Sequence, residues 1–318
     1  MNRSIASAIF LSVVLSGSIA KADVSAELYN ERNFNSYVQG DIHISAFVFR
    51  DVEGDGKYRD RDRPMVDVYV GLRDESGKTI YEKSNIDGFI NFTASTLMEG
   101  AEITSPGNYT FEILPPPGWR LTTDNAVQVI EVEGMIGSPG GLVAKSLPTL
   151  MGLAKEKSIV FGSGDLSYRE GDQFSRIGFD DVIQSIAVKK LQNGYNGLNW
   201  ENWVVTHQRF YKGEGYINGT VSGEFVAYNG SGHPMSVSRD RPFDFIGGYL
   251  TSAWRDAEGE TVQVTAWRGD EIAYQDEVKL SRFGPVYFRA NYDRVTKVEF
   301  KAAHFWQVVV DDLQFNLD

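Results

Sequence analysis

Short segments in which apolar and polar residues alternate are the sequence feature that most limits the fold of this 318-residue chain. In residues 107–113, for example, Tyr109, Phe111 and Ile113 fall on one side of an extended backbone. Alternation with period two is typical of strands that have one buried face. Gly, Asn, Asp and Pro separate the segments, and helical periodicity is scarce after residue 22. The pattern predicts an all-β protein built from β-sandwiches.

The first 22 residues have the three parts of a secretory signal. Arg3 gives a positive start, residues 5–19 form an apolar run, and Ala20-Lys21-Ala22 is a small-x-small cleavage site. Because the run is short for a membrane span, we expect cleavage and a secreted, extracellular or periplasmic product. An uncleaved anchor is the alternative. After cleavage, residues 23–39 would form an N-terminal extension of the mature chain.

The net charge and the cysteine content of the chain limit which partners it can bind and which interactions can stabilise its fold. Residues 1–22 contain two basic residues and no acidic one, so their removal takes the net charge from −12 to −14. A chain this acidic is a poor ligand for nucleic acid. It has no Cys and cannot form a disulfide. Stability must therefore come from apolar cores and, where ligands allow, from metal.

Residues 51–62 have the spacing of a calcium loop. Oxygen-bearing side chains stand at positions 1, 3 and 5, a Gly at position 6 and a carboxylate at position 12. The candidate ligands are the side chains of five acids and the carbonyl of one Lys: Asp51, Glu53, Asp55, Asp60, Asp62 and Lys57. The flanking segments read as strands, so we expect Ca²⁺ to stiffen a long loop rather than to move helices. The alternative is a solvated acidic turn.

Residues 40–135 resemble the B-type repeats of bacterial serine–aspartate adhesins and the related collagen-adhesin B fold. Four separated motifs carry the resemblance: Phe49-Arg50-Asp51 with Gly54-Asp55-Gly56, Val68-Tyr69-Val70-Gly71-Leu72, Asp87-Gly88-Phe89, and Gly107-Asn108-Tyr109 with Pro117-Gly118. The resemblance implies a transthyretin- or immunoglobulin-like β-sandwich that binds calcium and serves as a spacer at the cell surface.

After a Gly-rich segment, 136–176, which we interpret as a linker, the chain resembles a galactose-binding-like jelly roll over residues 177–318. The matching segments are Gly197-Leu198-Asn199-Trp200, Ser252-Ala253-Trp254 and Asp311-Asp312-Leu313. The resemblance implies a second β-sandwich. It does not imply one function, because this sandwich supports many different tasks.

Two acidic pairs, Asp180 with Asp181 and Asp311 with Asp312, lie near the two ends of the predicted jelly roll. The first and last strands of a jelly roll often run side by side, which would bring the pairs together. Four buried carboxylates repel one another unless a cation is present. The sequence thus predicts a second calcium site. Alternatively, one Asp of each pair faces solvent and the other caps a turn.

Residues 195–203 are the first candidate for a ligand site in the jelly roll. They combine aromatic faces on which sugars stack with amides that bond hydroxyl groups: Tyr195, Asn196, Asn199, Trp200, Asn202 and Trp203. The alternative is that the Trp side chains fill the core and the Asn side chains cap turns.

No catalytic motif accompanies these features. The four His residues stand far apart in sequence, and no Cys exists to act as a nucleophile. We therefore expect a secreted, non-enzymatic, calcium-stabilised, adhesin-like protein that binds glycan or another surface partner. A structural matrix protein without a specific ligand is one alternative. An extracellular carbohydrate-active enzyme that uses a pair of carboxylates is another.

Overall fold

The computed structural model describes residues 43–96, 99–123, 127–134, 142–144, 149–167 and 174–317. The predicted signal at 1–22 and the extension at 23–39 lie outside these residues. In the described part no helix is long and apolar enough to cross a membrane. The prediction of an all-β sandwich protein is confirmed.

In the N-terminal half, which we define as residues 43–155, the described residues form ten strands. They are β1 (His43–Arg50), β2 (Arg63–Pro64), β3 (Tyr69–Arg73), β4 (Thr79–Lys83), β5 (Phe89–Thr93), β6 (Gly107–Leu114), β7 (Trp119–Leu121), β8 (Val127–Gly134), β9 (Leu142–Ala144) and β10 (Thr149–Lys155). Sheet I contains β2, β5, β1, β10 and β7, and sheet II has the order β4-β3-β6-β8-β9.

Sheets I and II pack face to face around one apolar core. Alternate residues of β1, such as Ile44 and Val48, meet Leu72 of β3 and Phe111 of β6. As the alternation predicts, Tyr109, Phe111 and Ile113 are all buried on one face of β6. The strand ends at Leu114, directly before three prolines that cannot donate to a sheet.

The segment predicted as a linker, 136–176, contains strands that complete these sheets. β9 pairs with β8 in sheet II, and β10 runs parallel to β1 and antiparallel to β7 in sheet I. Met151 and Leu153 of β10 are buried in the core between the sheets. The sandwich therefore extends beyond residue 135 to Lys155, because β1 needs a partner on its second edge. The division of the chain into two domains stays a prediction.

The C-terminal half, residues 159–317, contains the remaining described strands. They are β11 (Ile159–Phe161), β12 (Ser175–Ile177), β13 (Val188–Lys190), β14 (Asn199–Glu201), β15 (Trp203–His207), β16 (Phe225–Asn229), β17 (Met235–Ser252), β18 (Thr261–Arg268), β19 (Glu271–Lys279), β20 (Val286–Ala302) and β21 (Val308–Asn316). A short helix, α1 (Glu214–Asn218), lies between β15 and β16.

All eleven of these strands belong to one continuous hydrogen-bonded sheet, sheet III, whose main order is β13-β15-β16-β21-β17-β20-β18-β19. The long strands β17 and β20 bend sharply, with register shifts between Ser238 and Gly247. Asn291 and Arg294 of β20 have positive φ at the same bend. The bend folds sheet III over a core that includes Trp203, Phe245 and Phe300, which is the arrangement of a sandwich.

The two halves share a buried polar contact. Arg50 of β1 donates through both terminal nitrogens, Nη1 to the carbonyl of Asn218 at 2.6 Å and Nη2 to the carbonyl of Thr220 at 2.7 Å. The side chain of Asn218 bonds both backbone groups of Val66. Phe283 from the C-terminal half is buried in the core of the N-terminal half. A cleft remains beside this contact, and it positions the site described next.

Candidate ligand-binding cleft

The carboxylates at the ends of the predicted calcium loop hold the loop closed through its own backbone. Asp51 accepts hydrogen bonds from the N–H groups of Gly54, at 2.6 Å, and Gly56, at 2.7 Å. Asp62 accepts from the N–H groups of Val52 and Arg59. Both carboxylates are almost fully buried. The loop needs Gly at position 6, since its φ is +75° and a Cβ there would lie 2.7 Å from a backbone oxygen.

The other predicted ligands of this loop point elsewhere. Asp55 pairs with Arg59 at 2.6 Å, Glu53 lies 3.7 Å from Arg61, and Asp60 is exposed. Across the described residues, no group of three or more His, Cys, Asp or Glu is placed to hold a metal ion. The carboxylates would therefore have to turn away from their present donors to surround Ca²⁺. Calcium binding at 51–62, with the Lys57 carbonyl as a ligand, stays a prediction.

Two of the four acids in the second predicted calcium site come close together. β12 pairs antiparallel with β21, so the first and last strands lie side by side as expected. A Cβ placed on Gly178 would lie 3.1 Å from Oδ1 of Asp312 and 3.7 Å from Oδ2 of Asp180. Asp181 instead accepts a hydrogen bond from the Tyr195 hydroxyl at 2.5 Å. A metal here also stays a prediction.

Asp311 lies on the other side of β21 from this pair. It is fully buried and accepts from the backbone N–H groups of Val221, Ser222 and Asp312. Burial, followed by the Asp312 charge, raises the pKa of Asp311 to about 8 in spite of these donors. Because the carboxyl holds its proton up to mildly basic pH, Asp311 adds little negative charge to its surroundings at neutral pH.

The indole rings predicted for sugar stacking are inside the core. Trp200 and Trp203 are 2% and 0% exposed, and their rings pack edge to face with centroids 5.1 Å apart. Each indole N–H donates to a backbone carbonyl, that of Tyr195 at 2.9 Å and that of Ser236 at 2.8 Å. Neither ring presents a face to a ligand, which corrects the assignment of these two residues to the ligand site.

The remaining residues of the 195–203 segment shape a turn. Asn202 has a positive φ of 60°, and its amide nitrogen donates to three carbonyls of the turn at 230–234. Burial and the hydrogen bond to Asp181 raise the pKa of Tyr195. Asn196 and Asn199 are exposed, but the only ring beside them in residues 195–203 that is not buried is that of Tyr195, whose hydroxyl is bonded to Asp181. This segment is therefore a weak candidate for sugar binding.

A cleft of about 500 Å³ between the two halves is the better candidate. The N-terminal half contributes the end of β1, the predicted calcium loop, β7 and β10, and the C-terminal half contributes β17, β20 and β21. The residues along its walls are Arg50, Asp51, Val52, Arg61, Trp119, Ala154, Lys155, Ser158, Ile159, Val221, Tyr249, Pro285, Tyr287, Arg289 and Gln314.

Two tyrosines form an aromatic wall of the cleft. Tyr249 of β17 and Tyr287 of β20 are cross-strand partners, and their ring centroids are 5.0 Å apart. Both rings are partly exposed. The Tyr287 hydroxyl donates to Oε1 of Gln314 at 2.9 Å. Burial raises the pKa of both phenols, so both keep their protons and can donate hydrogen bonds at neutral pH.

Sequence reasoning missed this wall. Residues 286–290 alternate buried Val286, Phe288 and Ala290 with Tyr287 and Arg289 on the opposite face. That alternation could have indicated a polar, aromatic face of the strand. The pairing of β17 with β20 and the position of the N-terminal half across this face are not readable from the local pattern.

Comparison with known proteins does not assign a family. No protein-family model matches the chain, and no curated protein matches it significantly. Among solved structures, the N-terminal CBM22 tandem domain of Xyn10C from Paenibacillus barcinonensis aligns at 11% identity and a TM-score of 0.26, covering 86% of this chain and 77% of that one. The M60 catalytic domain with two CBM51 domains of ZmpB from Clostridium perfringens aligns at 10% identity and a TM-score of 0.22. That alignment covers 89% of this chain but only 32% of the other. At TM-scores this low, neither similarity supports an inference about this chain.

Proposed function

We propose that this chain is a secreted, non-enzymatic, calcium-stabilised protein that binds an extracellular glycan in the cleft between its two halves. The observation that carries the proposal is the pair of partly exposed rings, Tyr249 and Tyr287, on one wall of a cleft of about 500 Å³. Ligand sites are commonly concave, with aromatic walls and a few fixed polar groups.

The mixture of side chains suits a sugar. A pyranose ring has apolar C–H faces that stack on aromatic rings, while its hydroxyl groups need donors and acceptors around the edge. Here Gln314, Ser158 and the tyrosine hydroxyls supply neutral polar groups beside the rings. Strands β17, β20 and β21 hold this wall in place, so little side-chain order has to be created on binding.

The parts of the proposal that concern secretion and calcium rest on sequence patterns. The first 22 residues have the pattern of a cleaved signal, and glycans are abundant outside cells. Asp51 and Val52 of the predicted calcium loop also line the cleft. A cation that stiffened this loop would stiffen one wall of the proposed site. This arrangement gives the calcium loop a role in positioning the glycan as well as in stability.

A pair of tyrosine variants tests the proposal on the mature chain, residues 23–318. Tyr287→Ala removes one ring from the cleft. Tyr274→Ala is the control: its ring also packs against a tyrosine, with the centroid 4.6 Å from that of Tyr292, but Tyr274 does not line the cleft. Binding is screened on a glycan array and quantified by calorimetry. We expect wild type and Tyr274→Ala to bind alike and Tyr287→Ala to bind roughly tenfold more weakly.

Two results would count against the cleft. One is a wild-type protein that retains no glycan from the array. The other is a folded Tyr287→Ala protein, checked by its melting temperature, that binds as tightly as wild type. Binding that survives in Tyr287→Ala would place the glycan on another surface.

A further inference from the structure

The charge of the cleft is opposite to that of the whole protein. The chain carries a net charge of −12, yet among the described residues the cleft is lined by four basic side chains and one carboxylate. The carboxylate, Asp51, is buried and bonded to backbone N–H groups of its own loop. Basic side chains that are clustered in one cleft repel one another, and this repulsion is offset when an anionic ligand binds among them.

Two of the cations are fixed in the wall. Burial and nearby Arg63 lower the pKa of Arg50 to about 10, which still leaves it charged at neutral pH. Lys155 donates to the carbonyl of Gly284 at 3.1 Å and lies 5.9 Å from the ring centroid of Trp119. Neither cation is paired with a carboxylate among the ion pairs of the described residues. They therefore give the cleft a standing positive potential.

The other two cations that line the cleft are exposed and come from opposite halves. Arg61 is 73% exposed, and its contact with Glu53 is a long one of 3.7 Å. The guanidinium of Arg289 lies 5.5 Å from the ring of Phe161, a contact that orients the cation without neutralising it. Arg289 is two residues from Tyr287 on β20, so both side chains emerge on the same face.

From this arrangement we infer that the ligand of the cleft is an anionic oligosaccharide, whose carboxylate or sulfate group is bound by Arg61 and Arg289 while a sugar ring stacks on Tyr249 and Tyr287. The inference rests on the proposed function and specifies its substrate class. Guanidinium groups match the two oxygens of a carboxylate or a sulfate with paired hydrogen bonds. A neutral sugar would bring no counter-charge to the excess of positive charge in the cleft.

The test compares a polyanionic glycan with its neutral ester on the same backbone, and with a second polyanionic glycan on a different backbone. The mature chain is titrated with polygalacturonate, with its fully methyl-esterified form, and with chondroitin sulfate, each at low and high salt. We expect binding to polygalacturonate, binding at least roughly tenfold weaker to the neutral ester, and loss of affinity at high salt. Binding to chondroitin sulfate in preference to polygalacturonate would also support the inference, because chondroitin sulfate is a polyanion that carries both carboxylates and sulfates.

Matched arginine variants locate the anion. Arg289→Ala and Arg61→Ala each remove one exposed cation from the cleft, and each is expected to weaken polygalacturonate binding by roughly tenfold. Arg268→Ala is the control, because Arg268 also lies over a ring, Tyr274 at 5.2 Å, but does not line the cleft. It should bind like wild type.

The outcomes separate the two proposals. If the methyl ester binds as tightly as polygalacturonate and Tyr287→Ala weakens the binding of both, the glycan site stands and the charge inference fails. If Arg61→Ala and Arg289→Ala bind polygalacturonate like wild type, the inference also fails. If no glycan of the panel or the array binds, the proposed function fails and takes the inference with it.

Discussion

At the scale of single residues, Trp200 separates a structural role from a role in binding. Its ring is 2% exposed and packs against Trp203, Phe179 and Phe315. We expect Trp200→Ala to lower the free energy of unfolding by about 3–5 kcal/mol, because truncating a buried aromatic ring leaves a cavity. Urea denaturation followed by fluorescence or circular dichroism measures the change.

Trp267→Ala is the matched control for this prediction. Trp267 lies on a strand of the same sheet but is only partly buried, with Lys297 over its ring at 5.1 Å. It should destabilise the protein by less than Trp200→Ala does. A Trp200→Ala protein with wild-type stability and no glycan binding would contradict the core assignment and return residues 195–203 to the ligand site.

Individual site residues were the hardest part to predict from the sequence. The local sequence shows that two polar residues separate Trp200 from Trp203, but not that other parts of the sheet cover both rings. In the same way, Tyr249 and Tyr287 are 38 positions apart and become neighbours only when β17 pairs with β20. Local spacing identified the closed loop at 51–62, since its residues contact one another, and missed the cleft, whose residues come from two halves of the chain.

At the scale of elements, the loop at 51–62 is predicted to bind Ca²⁺ and thereby to stabilise the protein. We expect CaCl₂ to raise the melting temperature of the mature protein relative to EDTA, and Asp55→Ala to abolish that rise. The reason is that affinity for Ca²⁺ depends on the number of anionic ligands. Asp55 is suited to the test because it is exposed and its pair with Arg59 contributes little by itself. Differential scanning calorimetry gives both temperatures.

Asp74→Ala controls for the loss of an exposed Asp from a turn of the same half. Asp74 accepts from Ser76 and Lys78 in a turn away from the loop, so the calcium-dependent rise should persist in this variant. Equal melting curves of the wild type in CaCl₂ and EDTA would refute calcium binding. The loop would then be held by Asp51 and Asp62 alone.

Strands were predicted better than their connections. β-forming composition and period-two alternation located β1, β3, β4, β5, β6 and β8 within a few residues. The same pattern divided β20 into two strands, since the bend at Asn291 and Arg294 interrupts the alternation while the hydrogen bonds to β17 resume beyond it. Gly-rich composition suggested a linker at 136–176, although β10 within it is a central strand of sheet I.

At the scale of the whole molecule, one buried carboxylate joins the two halves. Asp67, 5% exposed, contacts Lys83 of its own half at 2.9 Å. It also contacts two cations of the other half, Arg255 at 3.1 Å and the fully buried Arg282. Its φ of 65° is tolerated by Asn as well as by Asp, so Asp67→Asn removes the charge without new backbone strain.

We expect Asp67→Asn to lower the free energy of unfolding by about 3–5 kcal/mol, because it leaves buried cations without their counter-ion. Since those cations lie on both sides of the contact between the halves, we also expect a wild type that unfolds in one thermal transition and a variant in which that transition splits into two. Calorimetry detects the split as a van't Hoff enthalpy smaller than the calorimetric enthalpy.

The exposed ion pair between the same two halves provides the control. Arg209 and Asp87 lie 2.7 Å apart with side chains 43% and 50% exposed, so Asp87→Asn should cost only about 0–1 kcal/mol and leave one transition. Equal effects of Asp67→Asn and Asp87→Asn would show that the buried carboxylate does not couple the halves. If Asp67→Asn alone splits the transition, it should weaken glycan binding as well, because Arg61 and Arg289 would no longer be held at a fixed separation across the cleft.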